Sequence, residues 1–355
     1  MFHLEELGWS SFFEEQIDPE ERELYSPARV AEEAKKFYRV YAECGELLSE
    51  VSGKLLHQAA SRQALPAVGD WVLVHARATE GRATIHRALR RKSKFSRKVA
   101  GRTTAEQILA ANVDTLFLVI ALDRDFSLRR IERYLTLVWE SGTRPVILLN
   151  KADLCDESRA RTLDVELVAS GVPVHLLTAI NGEGLEALER YLRRGQTAAL
   201  LGSSGVGKST LINRLASREL QRVQEISVAA DRGRHTTSSR QLILLPAGGM
   251  LIDTPGMREL QLWGSAGNLP RTFEDIAVLA EGCRFRDCQH RAEPGCAVQQ
   301  GLQDGTIDPE RWESYLKLGK ELHYVALKQD ARARLAEQNK WKKIVKEQKR
   351  NKKRF

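Results

Sequence analysis

Two short motifs stand in an order that constrains the fold of this chain more than any other feature. NKAD occupies Asn150–Asp153, and GSSGVGKS occupies Gly202–Ser209, about fifty residues further on. The second fits G-x-x-x-x-G-K-[ST], a pattern that signals a phosphate loop when a strand leads into it and a helix leads out. TAALLG before it and TLINRL after it supply that setting. In an ordinary guanine-nucleotide domain the phosphate loop comes first and NKxD late, whereas here the order is reversed. A domain whose termini lie close together tolerates circular permutation. Joining the old ends and opening the chain between DTPG (Asp253–Gly256) and NKAD yields the observed order.

Each motif brings a defined chemistry. In the loop Gly202, Ser203, Ser204, Gly205, Val206 and Gly207, the glycines let backbone N–H groups close around phosphate oxygens without interference from a Cβ. Lys208 supplies positive charge to the β- and γ-phosphates, the Ser209 hydroxyl is placed for Mg²⁺, and Thr210 follows in the first helical turn. The helix N-terminus adds its dipole. In NKAD, the Asp153 carboxylate accepts from both the ring N–H and the exocyclic amine of guanine, a pair that adenine does not offer. Asn150 braces the segment, the Lys151 stem covers the base, and Ala152 links the two to Asp153. A buried carboxylate left unpaired by the wrong base gives strong discrimination. In LLTAING, about thirty residues later at a strand end, the run Thr178–Ala179–Ile180 is placed to offer a backbone N–H to the guanine carbonyl. Asp253 of DTPG is suited to hold Mg²⁺ through water, and the Gly256 N–H to sense the γ-phosphate. Between the two lies RHTTS (Arg234–Ser238), where Thr236 or Thr237, with preference for Thr237, would reach the metal.

The 355 residues leave room for two or three domains. Residues 1–36 read as an acidic leader. FYRVYAEC, ELLSEVSG and VGDWVLVHA, separated by turn residues, predict a small all-β module over 37–102, and a partly open five-stranded barrel is the commonest such module that binds oligonucleotides. From 103 to 262 buried-strand runs such as VDTLFLVIAL alternate with helical stretches, including Ser127–Glu140 and LEALERYLRR, which predicts an α/β sheet. Strand signals vanish in 263–355, a mostly helical region with a cysteine cluster and the basic tail KWKKIVKEQKRNKKRF. The net charge of +8 is concentrated at Arg87–Arg102 and in that tail, which points to nucleic acid before membrane. No apolar run reaches a membrane span and the N-terminus is unlike a signal peptide, so a cytoplasmic location is expected.

Cys44 and Cys155 are isolated and read as small buried residues, while three of the five cysteines crowd into CRFRDCQHRAEPGC. Cys283, Cys288, His290 and Cys296 offer four ligands suited to a closed, structural, tetrahedral Zn²⁺ site, although C-x₄-C-x-H-x₅-C is not a common finger spacing. Arg284, Arg286 and Arg291 between them are expected to face outward, towards phosphates.

NKAD, GSSGVGKST, GRHTT and DTPGMRE in this order, with a β-module before and a Cys–His cluster after, resemble the RsgA (YjeQ) family of circularly permuted GTPases in bacterial small-subunit ribosome assembly. The resemblance covers nearly the whole chain, including AEQILAANVDTLFLV. It implies an N-terminal OB fold contacting 16S rRNA, a permuted GTPase domain, and a domain holding one structural zinc ion. It also implies a monomer that hydrolyses GTP to GDP and phosphate, stimulated by the 30S subunit, in late maturation. Resemblance places GRHTT on a mobile switch and makes His235 the candidate catalytic residue beside Lys208. Met257 follows DTPG where many GTPases carry a water-orienting glutamine, so slow intrinsic turnover is expected. Gly205 stands where potassium-activated GTPases carry asparagine, so potassium activation does not follow. The rival reading is a GTP-gated RNA-binding protein whose hydrolysis is incidental.

Overall fold

A computed structural model describes residues 1–34, 37–59, 62–98, 106–217, 240–253 and 266–329. These divide into two compact units. One takes in the described residues up to Arg97 and from Glu106 to Asp253, and the other Lys98 and those from 266 to 329.

The first unit begins with a five-stranded barrel: β1 (Ser26–Glu33), β2 (Tyr38–Ala42), β3 (Gly45–Val51), β4 (Trp71–Arg77) and β5 (Arg82–Ala88). Strand β1 pairs with β2 and with β4, β3 runs parallel to β5, and β4 closes against β5. Alternate residues point inward, so Val30, Val40, Leu47, Val74 and Ile85 form a closed apolar centre. The barrel therefore starts at Ser26, earlier than the expected boundary at 37. Its first strand, SPARVAEE, hides in the sequence because its middle carries Arg29.

Residues before Ser26 are not a loose leader. Leu4, Leu7, Phe13 and Ile17 are buried, each contributing about 1.5–3 kcal/mol of transfer free energy. Trp9 meets Trp71 edge to face with ring centroids 4.7 Å apart. Arg29, 1 % exposed, donates to the carbonyls of Leu7, Gly69 and Asn112, segments far apart in the chain. Burial lowers its pKa to about 10, against the opposing fields of Asp114 and Asp70.

Strands β6 (Lys94–Lys98) and β7 (Glu106–Ala111) form a separate ladder. The α/β part follows with β8 (Thr115–Ala121), β9 (Arg144–Asn150), β10 (Val174–Leu176), β11 (Thr197–Leu201), β12 (Arg240–Leu244) and β13 (Met250–Asp253). Its order is β10-β9-β8-β11-β13-β12, parallel except for the β12–β13 hairpin. Strand β8 is buried along its whole length, as its unbroken apolar run predicts. Helices Leu128–Ser141, Ser158–Val168 and Lys208–Leu215 connect the strands. LEALERYLRR departs from the helical expectation. It forms a 3₁₀ segment over Leu185–Tyr191, bounded by tight turns at Gly184 (φ +79°) and Gly195 (φ +79°).

The barrel and the nucleotide-type sheet are continuous. A bulge between Val30 and Glu32 bends β1, a known effect of an inserted residue. Its first half then closes the barrel while Glu32 and Glu33 pair with Gln241 and Arg240 of β12.

The second unit is helical among its described residues, with Leu269–Thr272, Glu274–Glu281, Ala297–Gln303 and Pro309–Gln329. Leu269, Phe273, Ile276, Val298, Ile307, Leu318 and Leu322 form its buried side. Arg311 clasps Asp275 with two hydrogen bonds of 2.7 and 2.8 Å. Among the described residues no helix is long and apolar enough to cross a membrane. Cys44 is exposed and Cys155 half-buried, so neither is the core residue its isolation suggested.

Candidate functional site

Parallel strands end at the same edge of the sheet, and the loops beyond those ends form the ligand crevice of open α/β folds. Strand β11 runs into the glycine loop, and Lys208 opens the helix behind it. Gly202 is pressed against the neighbouring strand: a Cβ there would lie 2.3 Å from the Val119 carbonyl oxygen. Gly207, at φ +97°, abuts Asn150, where a Cβ would lie 2.2 Å from Nδ2. Ser204 and Gly205 form the exposed tip, Val206 is buried, and Ser203, Ser209 and Thr210 are half-buried. Lys208 Nζ donates to the carbonyls of Gly202 (2.7 Å) and Ser203 (2.5 Å), which folds the lysine over the loop's concave side.

Asn150 terminates β9 and is 3 % exposed. Its Nδ2 donates to the Val206 carbonyl at 2.7 Å and its Oδ1 accepts from the Ala179 N–H at 2.9 Å. One amide side chain therefore joins three segments far apart in sequence: the NKAD strand, the glycine loop and the TAI turn. The Ala179 N–H, one of the amides the sequence offers to a guanine carbonyl, is here engaged by Asn150. Thr178 is buried and closes the turn by donating its N–H to Glu183 O at 3.0 Å. Lys151 adopts a left-handed backbone (φ +64°). Asp153 lies exposed in the turn Ala152–Leu154, its carboxylate available to a ligand. Asp253 ends β13, half-buried, on the strand beside β11. His235, Thr236, Thr237, Gly256 and Met257 lie outside the described residues.

Two contributors escape a motif search. Asp123, just past β8, forms an ion pair with Lys151 at 2.8 Å. The signal for it was positional, since Ala121 is in register with Asn150 across the parallel pair β8–β9. Tyr134, on helix Leu128–Ser141, places its hydroxyl 3.3 Å from Ser203 Oγ.

In the second unit the ligand atoms of Cys283, Cys288, His290 and Cys296 all lie within 4.8 Å of one another. Cys283 Sγ is 3.9 Å from Cys296 Sγ and 3.5 Å from His290 Nδ1, and Cys296 Sγ is 3.4 Å from that nitrogen. Four ligand atoms this close together could hold one metal ion. The protein frame holds them in place. Cys296 caps the helix Ala297–Gln303 by accepting from Gln299 N at 3.4 Å. His290 sits at φ +56°, an uncommon conformation for a residue with a Cβ. Glu293 braces that loop by accepting from the N–H groups of Gln289 (2.9 Å), Arg291 (2.7 Å) and Ala292 (3.0 Å). The amides of Arg291, of Glu293 itself and of Gln289 hold its carboxyl down to about 2. Arg284, Arg286 and Arg291 are exposed, as expected.

Comparison with known proteins places the chain in a family. The family model described as RsgA GTPase matches residues 88–263. A small ribosomal subunit biogenesis GTPase RsgA of Opitutus terrae is 48 % identical over 351 residues, covering 96 % of this chain and 95 % of the relative. The crystal structure of YjeQ from Thermotoga maritima superposes with a TM-score of 0.65 at 28 % identity, covering 84 % of this chain and 99 % of that one. The crystal structure of YloQ, a circularly permuted GTPase, matches with a TM-score of 0.60 at 24 % identity over 84 % of this chain and 95 % of that one, a likeness of fold.

Proposed function

The chain belongs to the RsgA GTPase family, and from that premise we propose that it binds the 30S subunit and assists its late maturation. It is a GTP-hydrolysing enzyme with a circularly permuted fold. Under this reading Asn150–Asp153 hold the guanine beside the Thr178–Ala179 turn that Asn150 anchors, Gly202–Thr210 cradles the phosphates, and the products are GDP and phosphate. The observation that carries it is the Asn150 side chain, bonded at once to Val206 and Ala179. It supports reading the NKAD and glycine-loop segments as one pocket.

Within that pocket Lys208 neutralises charge on the β- and γ-phosphates, and Asp153 accepts the two guanine N–H groups. Mg²⁺, held by Ser209, Asp253 and Thr236 or Thr237, would neutralise the charge that develops on the phosphates. His235 would orient the attacking water. With methionine at 257, turnover without the subunit is slow, on the order of 10⁻⁴ to 10⁻² s⁻¹, and 30S stimulates it.

The strand order 1-2-3-5-4-1 of the barrel supports an OB fold contacting 16S rRNA. The Cys₃His set supports one structural Zn²⁺, whose tetrahedral bond lengths would give edges of about 3.8 Å between sulfurs and 3.5 Å from sulfur to nitrogen. The protein acts as a cytoplasmic monomer. Steady-state GTP hydrolysis with purified 30S, 50S and 70S particles tests the proposal. Stimulation by 30S is expected, and equal rates with and without 30S would leave only a GTP-gated binding protein.

A further inference from the structure

We infer that Asp123 is a positioning residue for guanine nucleotide: it fixes the Lys151 side chain before the base arrives. The inference rests on the reading of Asn150–Asp153 as the guanine-binding segment and adds a residue from outside every nucleotide motif.

The placement follows from sheet register. Strands β8 and β9 run parallel with Ala121 opposite Asn150, and Leu122 N donates to Asn150 O at 2.9 Å. The residues just past the two strand ends are therefore neighbours. The left-handed backbone at Lys151, φ +64°, turns the chain away from the strand direction. From there its Nζ reaches Asp123 Oδ2 at 2.8 Å, with the two side chains 18 % and 33 % exposed for Lys151 and Asp123.

Both carboxylate oxygens are committed. Asp123 Oδ1 accepts from Asp125 N at 3.0 Å, a turn bond that fixes the rotamer of Asp123, while Phe126 N donates to Asp123 O at 3.0 Å. The loop is braced from two helices. Arg130 donates to Asp125 O at 3.0 Å, and the Arg161 guanidinium lies 5.1 Å from the centroid of the Phe126 ring. Lysine has one of the largest side-chain entropies to lose on ordering. A stem already held by a braced carboxylate loses less of it when the base slides beneath, which raises affinity without a new contact to the ligand. An ion pair also favours the aligned stem over the many rotamers in which Nζ is solvated.

The test is equilibrium titration of the full chain with fluorescent GDP and GTP analogues. Asp123→Asn keeps the turn bond and removes the charge, and it is expected to weaken both nucleotides by about fivefold, with their ratio and the thermal unfolding midpoint unchanged. Lys151→Met should weaken binding comparably, and adding Asp123→Asn to it should cost nothing more. Tight binding by Asp123→Asn, or penalties that add in the double variant, would overturn the inference. Asp153→Asn separates this from the underlying reading, because an amide there should reject guanine and admit xanthine, which carries a carbonyl in place of the amine. If Asp153→Asn leaves base preference unchanged, the guanine reading fails. If it switches preference while Asp123→Asn does nothing, only the role of Asp123 fails.

Discussion

Glu33 of the barrel and Arg240 of the nucleotide-binding sheet meet at 3.2 Å, 17 % and 14 % exposed respectively. Arg240 NH1 also donates to Ile108 O at 3.4 Å. The pair sits at the end of β1, where Glu32 and Glu33 pair with β2 on one side and with β12 on the other. Arg240 is also the first described residue after the segment that carries His235 and the two candidate metal threonines.

Breaking that pair should loosen the joint. Arg240→Met is expected to lower the stability of the first unit by about 1–2 kcal/mol, more than an exposed pair would contribute because both groups are largely buried. A double-mutant cycle with Glu33→Gln in urea unfolding measures it. A coupling energy near zero would make the pair incidental.

Gly207 is the glycine whose replacement should damage the site most directly. Alanine would be strained at φ +97°, and its Cβ would press on Asn150 Nδ2 at 2.2 Å. Loss of the Asn150–Val206 bond should separate base-reading from phosphate-holding segments, so Gly207→Ala is expected to weaken GDP by more than about tenfold. Gly205→Ala, whose Cβ meets nothing within 4 Å, should have a smaller effect. Equal losses in the two variants would argue against contact with Asn150 as the cause.

Arg91 supports Asp70, whose side chain is wholly buried. Two hydrogen bonds of 2.7 and 2.6 Å link the guanidinium to the carboxylate, and Ala67 N adds a third at 2.8 Å. Burial pushes the Asp70 carboxyl up, and Arg91 works against it. Arg91→Met would strand the charge and cost about 3–5 kcal/mol. Without the arginine the folded state keeps a proton that the unfolded state releases, so the variant's stability should fall as pH rises. Unfolding midpoints at pH 5 and pH 8 check the sign, and a larger deficit at pH 5 would contradict it.

Metal removal should act on the second unit. With a helical core this small, an ion held by four ligands would contribute to folding directly. Strong chelation, or His290→Ala, is expected to cost helical circular dichroism and release one zinc equivalent, while GDP titration still reports an intact first unit. Release of zinc with no change in the spectrum would reduce the cluster to a surface binder.

Much of this architecture is legible in the sequence, and the exceptions have physical causes. TLFLVIA and PVILLN read as buried strands because both faces are covered and no polar residue interrupts them. NKAD and GSSGVGKS stand out as motifs, and the structure joins them through Asn150 and Val206. Strand β1 does not announce itself, since Arg29 at its centre is buried among partners distant in sequence, including the carbonyls of Leu7, Gly69 and Asn112. The acidic N-terminus reads as a leader because two of its aromatics, Trp9 and Phe13, find their partner Trp71 only in three dimensions. Asp123 looks like a surface residue until strand register brings it to Lys151.

The central claim is that Asn150–Asp153 and Gly202–Thr210 form a single guanine-nucleotide pocket, and a competition titration tests it most directly. A fluorescent GDP analogue bound to the purified chain should be displaced by GDP and by GTP and left in place by ATP at the same concentration. Displacement by ATP as effective as by GTP, or no binding of the analogue at all, would contradict the account.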